Sequence, residues 1–353
     1  MSARSLRLAG MVACLWVMLA TTGCAQLAYY HQSAAGQLDI IGRREAIDAL
    51  IADDSRNARL RVRLEQVRAI REFAVSELGL PDTGSYTQYA DLGRDYAVLA
   101  LYAAPEFSTD LKTWCYPVAG CAGYRGYFDR DMLQADADAL RAEGYDVYVA
   151  AVPAYSTLGW FDDPLLNTVI DWPSAQLAGL VFHELAHQRL YVKGDTAFNE
   201  SFATAVEQAG VARWLGSQGD ALALAKYRSD RRHHEQVVQL LAGTRERLQA
   251  LYDTALPLDT MREAKQRELA RTRQAYRALR DSWGGDPAYD NWVEGELNNA
   301  RLGSVAAYHD YVEAFLAMLE SRQGDFSAFY AEASRIGAMA PEQREPYLAR
   351  SRD

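Results

Sequence analysis

His183-Glu184-Leu185-Ala186-His187 sets two imidazoles four positions apart with a carboxylate directly after the first. On a helix, residues four apart lie one turn above another on one face, so both rings can reach a single cation. Glu184 is then placed to act as general base on a water that the cation acidifies. A structural zinc site closes with four protein ligands, whereas a hydrolytic one takes three and leaves a position open. The third ligand therefore decides the class. Gly at 190 and His at 193 would mark a metzincin, but Leu190 and Lys193 stand there, which excludes that class. The chain instead turns at Lys193-Gly194-Asp195 and continues as Thr196-Ala-Phe-Asn-Glu200. Counted from Gly194, His187 lies seven residues back and Glu200 six forward. In a tight antiparallel helical hairpin those positions come level, so Glu200 can complete a His183, His187, Glu200 set.

Other residues invite chemistry less strongly. His233 and His234 are adjacent, and adjacent helical residues point about 100° apart, so a solvated helix face is the expectation. Glu106, Asp162 and Asp163 could hold a substrate's free amino group. Tyr155 to Gly159 is either an edge strand that pairs with extended substrate or a surface loop.

The elements that position this motif follow from periodicity. Pro173 and Ser174 open a helix carrying Leu177, Leu180, Val181 and Leu185 that ends before Gly194. Upstream, Ser33 to Leu78 reads as two amphipathic helices broken around Asp53-Asp54-Ser55. Tyr96–Ala104 and Tyr145–Val152, each closed by proline, read as strands on either side of a helix near Arg130 to Glu143. Downstream of Leu215 the pattern is helical. Charged helices over Asp220–Leu251 and Asp259–Trp283 make an antiparallel hairpin, an insertion at about 217–284. Further helices are expected around Asn298–Ser321 and Phe326–Ile336. The sum is an α-rich α+β protein in which a small sheet precedes the zincin-like helix.

The first residues read as an address. Arg4 and Arg7 precede an apolar run, Leu8 to Ala20, too short to span a bilayer but suited to a signal-peptide core. Thr21-Thr22-Gly23-Cys24 resembles the lipobox of bacterial lipoproteins, with Thr21 where Leu is usual. Residues 1–23 are therefore expected to be removed and Cys24 acylated, leaving 24–353 as the metallopeptidase domain. Ala25, rather than Asp, favours the outer membrane by resemblance to known sorting rules. Cys14 leaves with the peptide, so Cys115 and Cys121 remain, joined across a Pro/Gly loop as a disulfide in an oxidising compartment.

Composition adds exclusions. Among 353 residues, 37 Lys and Arg stand against 47 Asp and Glu, a net charge of −10 that argues against nucleic-acid partners. The chain carries neither low-complexity linkers nor a repeat period.

The chain resembles the bacterial putative aminopeptidase family, zinc-dependent lipoproteins related in motif to the thermolysin-like gluzincins. The marks are Tyr29-Tyr30 with Gly36-Gln37, Gly159-Trp160-Phe161-Asp162-Asp163-Pro164, His183 to His187, Asn199-Glu200-Ser201-Phe202-Ala203, and Asn298-Asn299-Ala300. The resemblance implies His183, His187 and Glu200 as Zn²⁺ ligands and Glu184 as base. The 12 residues between His187 and Glu200 are a shorter spacer than the better-known gluzincins use. Gluzincins commonly place a Tyr or His downstream to steady the oxyanion, which points to Tyr308, with His309 and Tyr311 as alternatives.

The expectation is a zinc peptidase, an aminopeptidase by the family name, anchored through Cys24 to the outer membrane and facing the periplasm, with peptide as substrate. The motif alone fits endopeptidase action, cleavage of a cell-wall amide, or a non-peptide zinc hydrolase equally well. The rival from another class is a non-catalytic envelope lipoprotein that binds or scaffolds partners.

Overall fold

A computed structural model of the chain describes residues 26–116, 120–154, 157, 161–305 and 311–350. The first helix, α1 (26–42), is followed by a short strand, β1 (Arg44–Ala46), then α2 (Ile47–Ala52) and α3 (Ala58–Ser76). The break at Asp53 comes where expected: Asp53 accepts from the Ser55 amide and hydroxyl, and Asn57 caps α3 through Arg59 and Leu60. The interruption at β1 departs from the expected helix. Here pairing with β2 (Gln88–Ala90) outranks local helical periodicity, with Arg44 opposite Ala90 and Ala46 opposite Gln88.

A second sheet carries the longer strands. β3 (Val98–Pro105) is flanked by β6 (Arg125–Tyr127) on one edge and β7 (Tyr145–Val152) on the other, all antiparallel. Between β3 and β6 lies the hairpin β4 (Trp114–Tyr116) and β5 (Gly120–Ala122), closed by the Cys115–Cys121 disulfide. α4 (Arg130–Ala142), capped by Asp129, covers the sheet with Leu133, Ala137 and Leu140. Tyr29 of α1 packs edge-on against Tyr127 at 5.6 Å, beneath the Arg125 guanidinium. β8 (Leu165–Leu166) then pairs in parallel with β2 and leads into the short α5 (Asn167–Ile170).

The largest core is helical. α6 (Ser174–Arg189) packs on α3 and on α7 (Thr196–Ser217), and it buries Leu177, Ala178, Val181, Phe182, Leu185 and Ala186. A helix apolar around most of its circumference must lie inside the core, and this one carries the His-Glu-x-x-His stretch.

The expected hairpin follows as α8 (Ala221–Tyr252) and α9 (Leu258–Ser282), with its own small core of Val237, Leu241, Leu248, Leu269 and Tyr276. α10 (Asp290–Val293) packs on α9, and α11 (Asn299–Val305) ties the hairpin to the sheet. Asn298 donates to the Val147 carbonyl, and Asn299 to those of Pro105 and Glu106. Lys265 of α9 reaches Asp146 of β7 at 2.6 Å, with both side chains largely buried. α12 (Val312–Ser321), α13 (Phe326–Gly337) and α14 (Pro341–Arg350) close the main core through Phe315, Phe329 and Tyr330. The single helix expected over 298–321 is thus two helices, with 306–310 outside the described residues. The whole is α-rich α+β with small sheets.

Candidate metal centre

The turn between α6 and α7 sets the site. Gly194 adopts φ +82°, a left-handed conformation that a side chain would strain. Asp195 caps α7 by accepting from the Phe198 amide. The buried Asn199 clamps the turn twice, donating to the Val192 carbonyl at 2.8 Å and accepting from the Val192 amide at 2.7 Å. This clamp brings the first turn of α7 level with the last of α6, so Glu200 faces the two histidines.

Donor atoms of three side chains converge. His183 Nε2 lies 3.2 Å from His187 Nε2 and 3.3 Å from Glu200 Oε2, and His187 Nε2 lies 3.7 Å from Glu200 Oε1. In a tetrahedral zinc site with bonds of about 2.0–2.1 Å, donor atoms sit about 3.3 Å apart. Two of these separations match that edge, and the third, to the other Glu200 oxygen, is longer. His187 is buried, whereas His183 and Glu200 keep side-chain exposures of 18% and 28%, so one side of the triangle stays reachable. The His187 Nδ1 atom is buried without a hydrogen-bond partner among the described residues.

Glu207, which the spacing argument for the ligands does not include, stands behind His183. Its Oε2 lies 3.2 Å from His183 Nδ1, a contact that orients the ring and turns Nε2 toward the triangle. Glu207 follows Glu200 by two helical turns on one face. Room for it exists because residue 179 is glycine: a Cβ there would stand 3.2 Å from Glu207 Cγ. Both signals, the seven-residue spacing and a glycine one turn before His183, are present in the sequence.

The electrostatics are those of a cation site. Burial opposes a charge on His183, but the Glu200 and Glu207 carboxylates outweigh it and carry its pKa to about 10. Burial likewise works against the Glu200 charge, and the two histidines overcome it, holding the carboxyl at about 2. Glu207 is also held below the ordinary carboxylate range, His183 overcoming its burial. Two facing imidazoles and two carboxylates thus hold positive charge between them, and a divalent cation suits that place.

Glu184 follows His183 on α6, and its charge is felt by that imidazole. Tyr86 is buried, with φ +60°, and its hydroxyl is pushed far up by burial and then by the charges of Glu184 and Asp163. Tyr124, in the loop between β5 and β6, has its hydroxyl pushed up by burial first and then by the Glu200 charge. Neither tyrosine is legible from spacing, because each arrives from a distant loop.

Among the described residues, the other candidates are engaged elsewhere. Tyr308 and His309 lie outside the described residues, as do Tyr155, Ser156 and 158–160. The Tyr311 amide donates to Ser201, which ties α12 to α7. Glu106 gives both oxygens to Arg262 at 2.7 and 3.1 Å, and Asp163 accepts from the Thr157 amide and hydroxyl, so both acids hold structure. The solvated face expected for His233 and His234 gives way to packing: His233 stacks on Trp283 at 4.3 Å, and His234 lies against Tyr289 and Trp292. The aromatic turn after α9 folds back on α8 and covers them. Asp230, His233 and Asp286 also gather their donor atoms, but Lys226 grips both oxygens of Asp230 at 2.8 Å and supplies a cation already.

A profile of the family described as "Putative aminopeptidase" matches residues 28–348, most of the chain. No curated protein and no solved structure gives a significant match.

Proposed function

The chain belongs to the putative aminopeptidase family, and from that footing we propose that it is a zinc-dependent peptidase that removes residues from the amino end of peptides. The observation that carries this reading is the triangle of His183, His187 and Glu200 at zinc-like spacing, oriented from behind by Glu207. Those three residues would hold the ion. When bound, zinc supplies Lewis-acid polarisation of a carbonyl and acidifies water.

The protein's own groups do the rest. Glu184 takes the proton from the attacking water and returns it to the leaving amine. Glu207 keeps the His183 ring in the tautomer that directs Nε2 at the ion. Tyr124 and Tyr308 are the hydroxyls proposed to donate to the developing oxyanion. On residues 1–24 alone, we further propose removal of 1–23 and a lipid on Cys24 that holds the enzyme at the outer membrane, facing the periplasm. Among the described residues no helix is long and apolar enough to cross a membrane.

Elemental analysis of purified wild type, Glu200→Ala and Glu184→Gln tests the reading, with turnover of aminoacyl anilides and their N-acetylated counterparts on the same samples. About one zinc per chain is expected in wild type and Glu184→Gln, with loss in Glu200→Ala. Turnover is expected in wild type only, and only with a free amino end. Absence of zinc from reconstituted wild type would overturn the enzyme assignment; cleavage of the acetylated substrate would turn it to endopeptidase action.

A further inference from the structure

α1 is held by one face. Tyr29 packs on Tyr116 and Tyr127, Gln32 accepts from the Phe128 amide, and Ile40 is buried. Gly36 lies so close to Phe128 that a Cβ there would stand 2.0 Å from the ring, which fixes the helix against β6 and the turn after it in one orientation.

The opposite face is apolar and exposed. Leu27, Ala34 and Leu38 recur along it, flanked by Tyr30 and Ile41, and at 100° per residue the five share one stripe. Leu27 is 70% exposed, Leu38 66% and Tyr30 37%. Residues 26–38 contain no Asp, Glu, Lys or Arg in a chain where these make up 24%, so the stripe differs from the outer sides of α8 and α9, which Arg and Glu crowd. Among the described residues nothing covers Leu27 or Leu38. A continuous apolar stripe left exposed marks a surface of contact.

The place of α1 in the chain identifies the contact. Its first residue stands two after Cys24, a reach of about 7 Å at most. Acyl chains on Cys24 that enter a bilayer therefore hold the first turn of α1 at the lipid surface. A helix over residues 26–42 is about 25 Å long, and lying along that surface it sinks Leu27 and Leu38 among the acyl chains and sets the Tyr30 ring at headgroup level.

We propose that the outward face of α1 is a membrane-contact surface, lying flat on the phospholipid leaflet that holds the Cys24 lipid. A lipid on one residue tethers a point and leaves the domain free to swivel; the stripe gives it a fixed tilt. The proposal rests on acylation of Cys24 and is independent of the metal centre.

The test uses the chain expressed in full, extracted in detergent and reconstituted into vesicles of mixed phosphatidylethanolamine and phosphatidylglycerol. Mass spectrometry of the N-terminal peptide reads the acyl groups on Cys24 separately. With Cys115 joined to Cys121 and Cys24 acylated, Leu27→Cys, Leu38→Cys or a control on α8, Leu222→Cys at an 85%-exposed position, each supplies the one free thiol for a nitroxide label without loss of packing. The ratio of collisions with dissolved oxygen to those with an aqueous nickel chelate is expected to be several-fold higher at the Leu27 and Leu38 positions than at Leu222. Equal ratios at the three positions, with Cys24 acylated, would overturn the contact surface and leave the anchor standing. Cys24 without acyl groups would overturn both. Dipolar broadening between labels on neighbouring chains that persists as the protein is diluted in lipid would overturn the membrane contact and assign the stripe to a second copy.

Discussion

Replacing Glu207 by glutamine removes the charge behind His183 while preserving the side chain's shape. In the native protein Glu207 Oε2 sits 3.2 Å from His183 Nδ1, and with Glu200 it carries the His183 pKa to about 10 against the opposing effect of burial. Glutamine can still accept from Nδ1, so the ring keeps its place, but the imidazole loses basicity and the amide can flip to favour the wrong tautomer. Replacing such an outer carboxylate typically costs about 10–100-fold in metal affinity, equivalent to about 1.4–2.8 kcal/mol. Glu207→Gln should fall near the lower end. Glu207→Leu, which also drops the acceptor, should fall near the upper. Zinc affinity is measured by competition with a chelator of known strength, with thermal unfolding confirming that each variant is folded. A second readout separates positioning from general damage: in a His183→Ala background, Glu207→Gln should have little further effect on zinc. If folded Glu207→Gln binds zinc within about twofold of wild type, against the 10–100-fold typical of such partners, Glu207 does not tune the site.

Asn199→Ala removes both bonds that clamp the α6–α7 turn at Val192; thermal unfolding should show a loss of about 1–3 kcal/mol, and zinc retention should fall with it as Glu200 loses its level. Asp146→Ala strands the largely buried Lys265 ammonium and should cost about 3–5 kcal/mol, whereas the double replacement with Lys265→Met should recover much of that in denaturant melts. Arg335 beside Glu332 holds that carboxyl at about 2, below its ordinary 4.5. A depressed carboxylate adds stability above the ordinary value that fades as pH falls toward the folded one, so Glu332→Gln should flatten the decline of the thermal midpoint between those limits, and an unchanged slope would refute the pairing.

Several elements were legible because their cause is local. Tyr145–Val152 forms the strand that its β-branched and aromatic run announces, and the charged stretches after Asp220 form the α8–α9 hairpin. Cys115 and Cys121 meet because a five-residue loop leaves them opposite one another. What escaped depended on partners far along the chain. β1 exists only because β2 offers it a ladder, and His233 is covered only because the turn after α9 brings Trp283 over it. Asn298 and Asn299, visible as a motif, acquire a purpose when the carbonyls of β3 and β7 lie within reach.

The division is sharpest at the centre. The four-residue spacing of His183 and His187 on a helix, and the turn that brings Glu200 level with them, are consequences of helical geometry and of a glycine at 194, so the candidate set that could hold a metal was legible from sequence alone. The second layer was not. Glu207 serves His183 because α7 packs closely on α6 at Gly179, and the charges of Glu184 and Glu200 are felt by Tyr86 and Tyr124, which are carried on distant loops. Backbone periodicity acts over a few residues and can be counted in a sequence; close packing acts between surfaces, and which surfaces meet is decided only when the whole core forms.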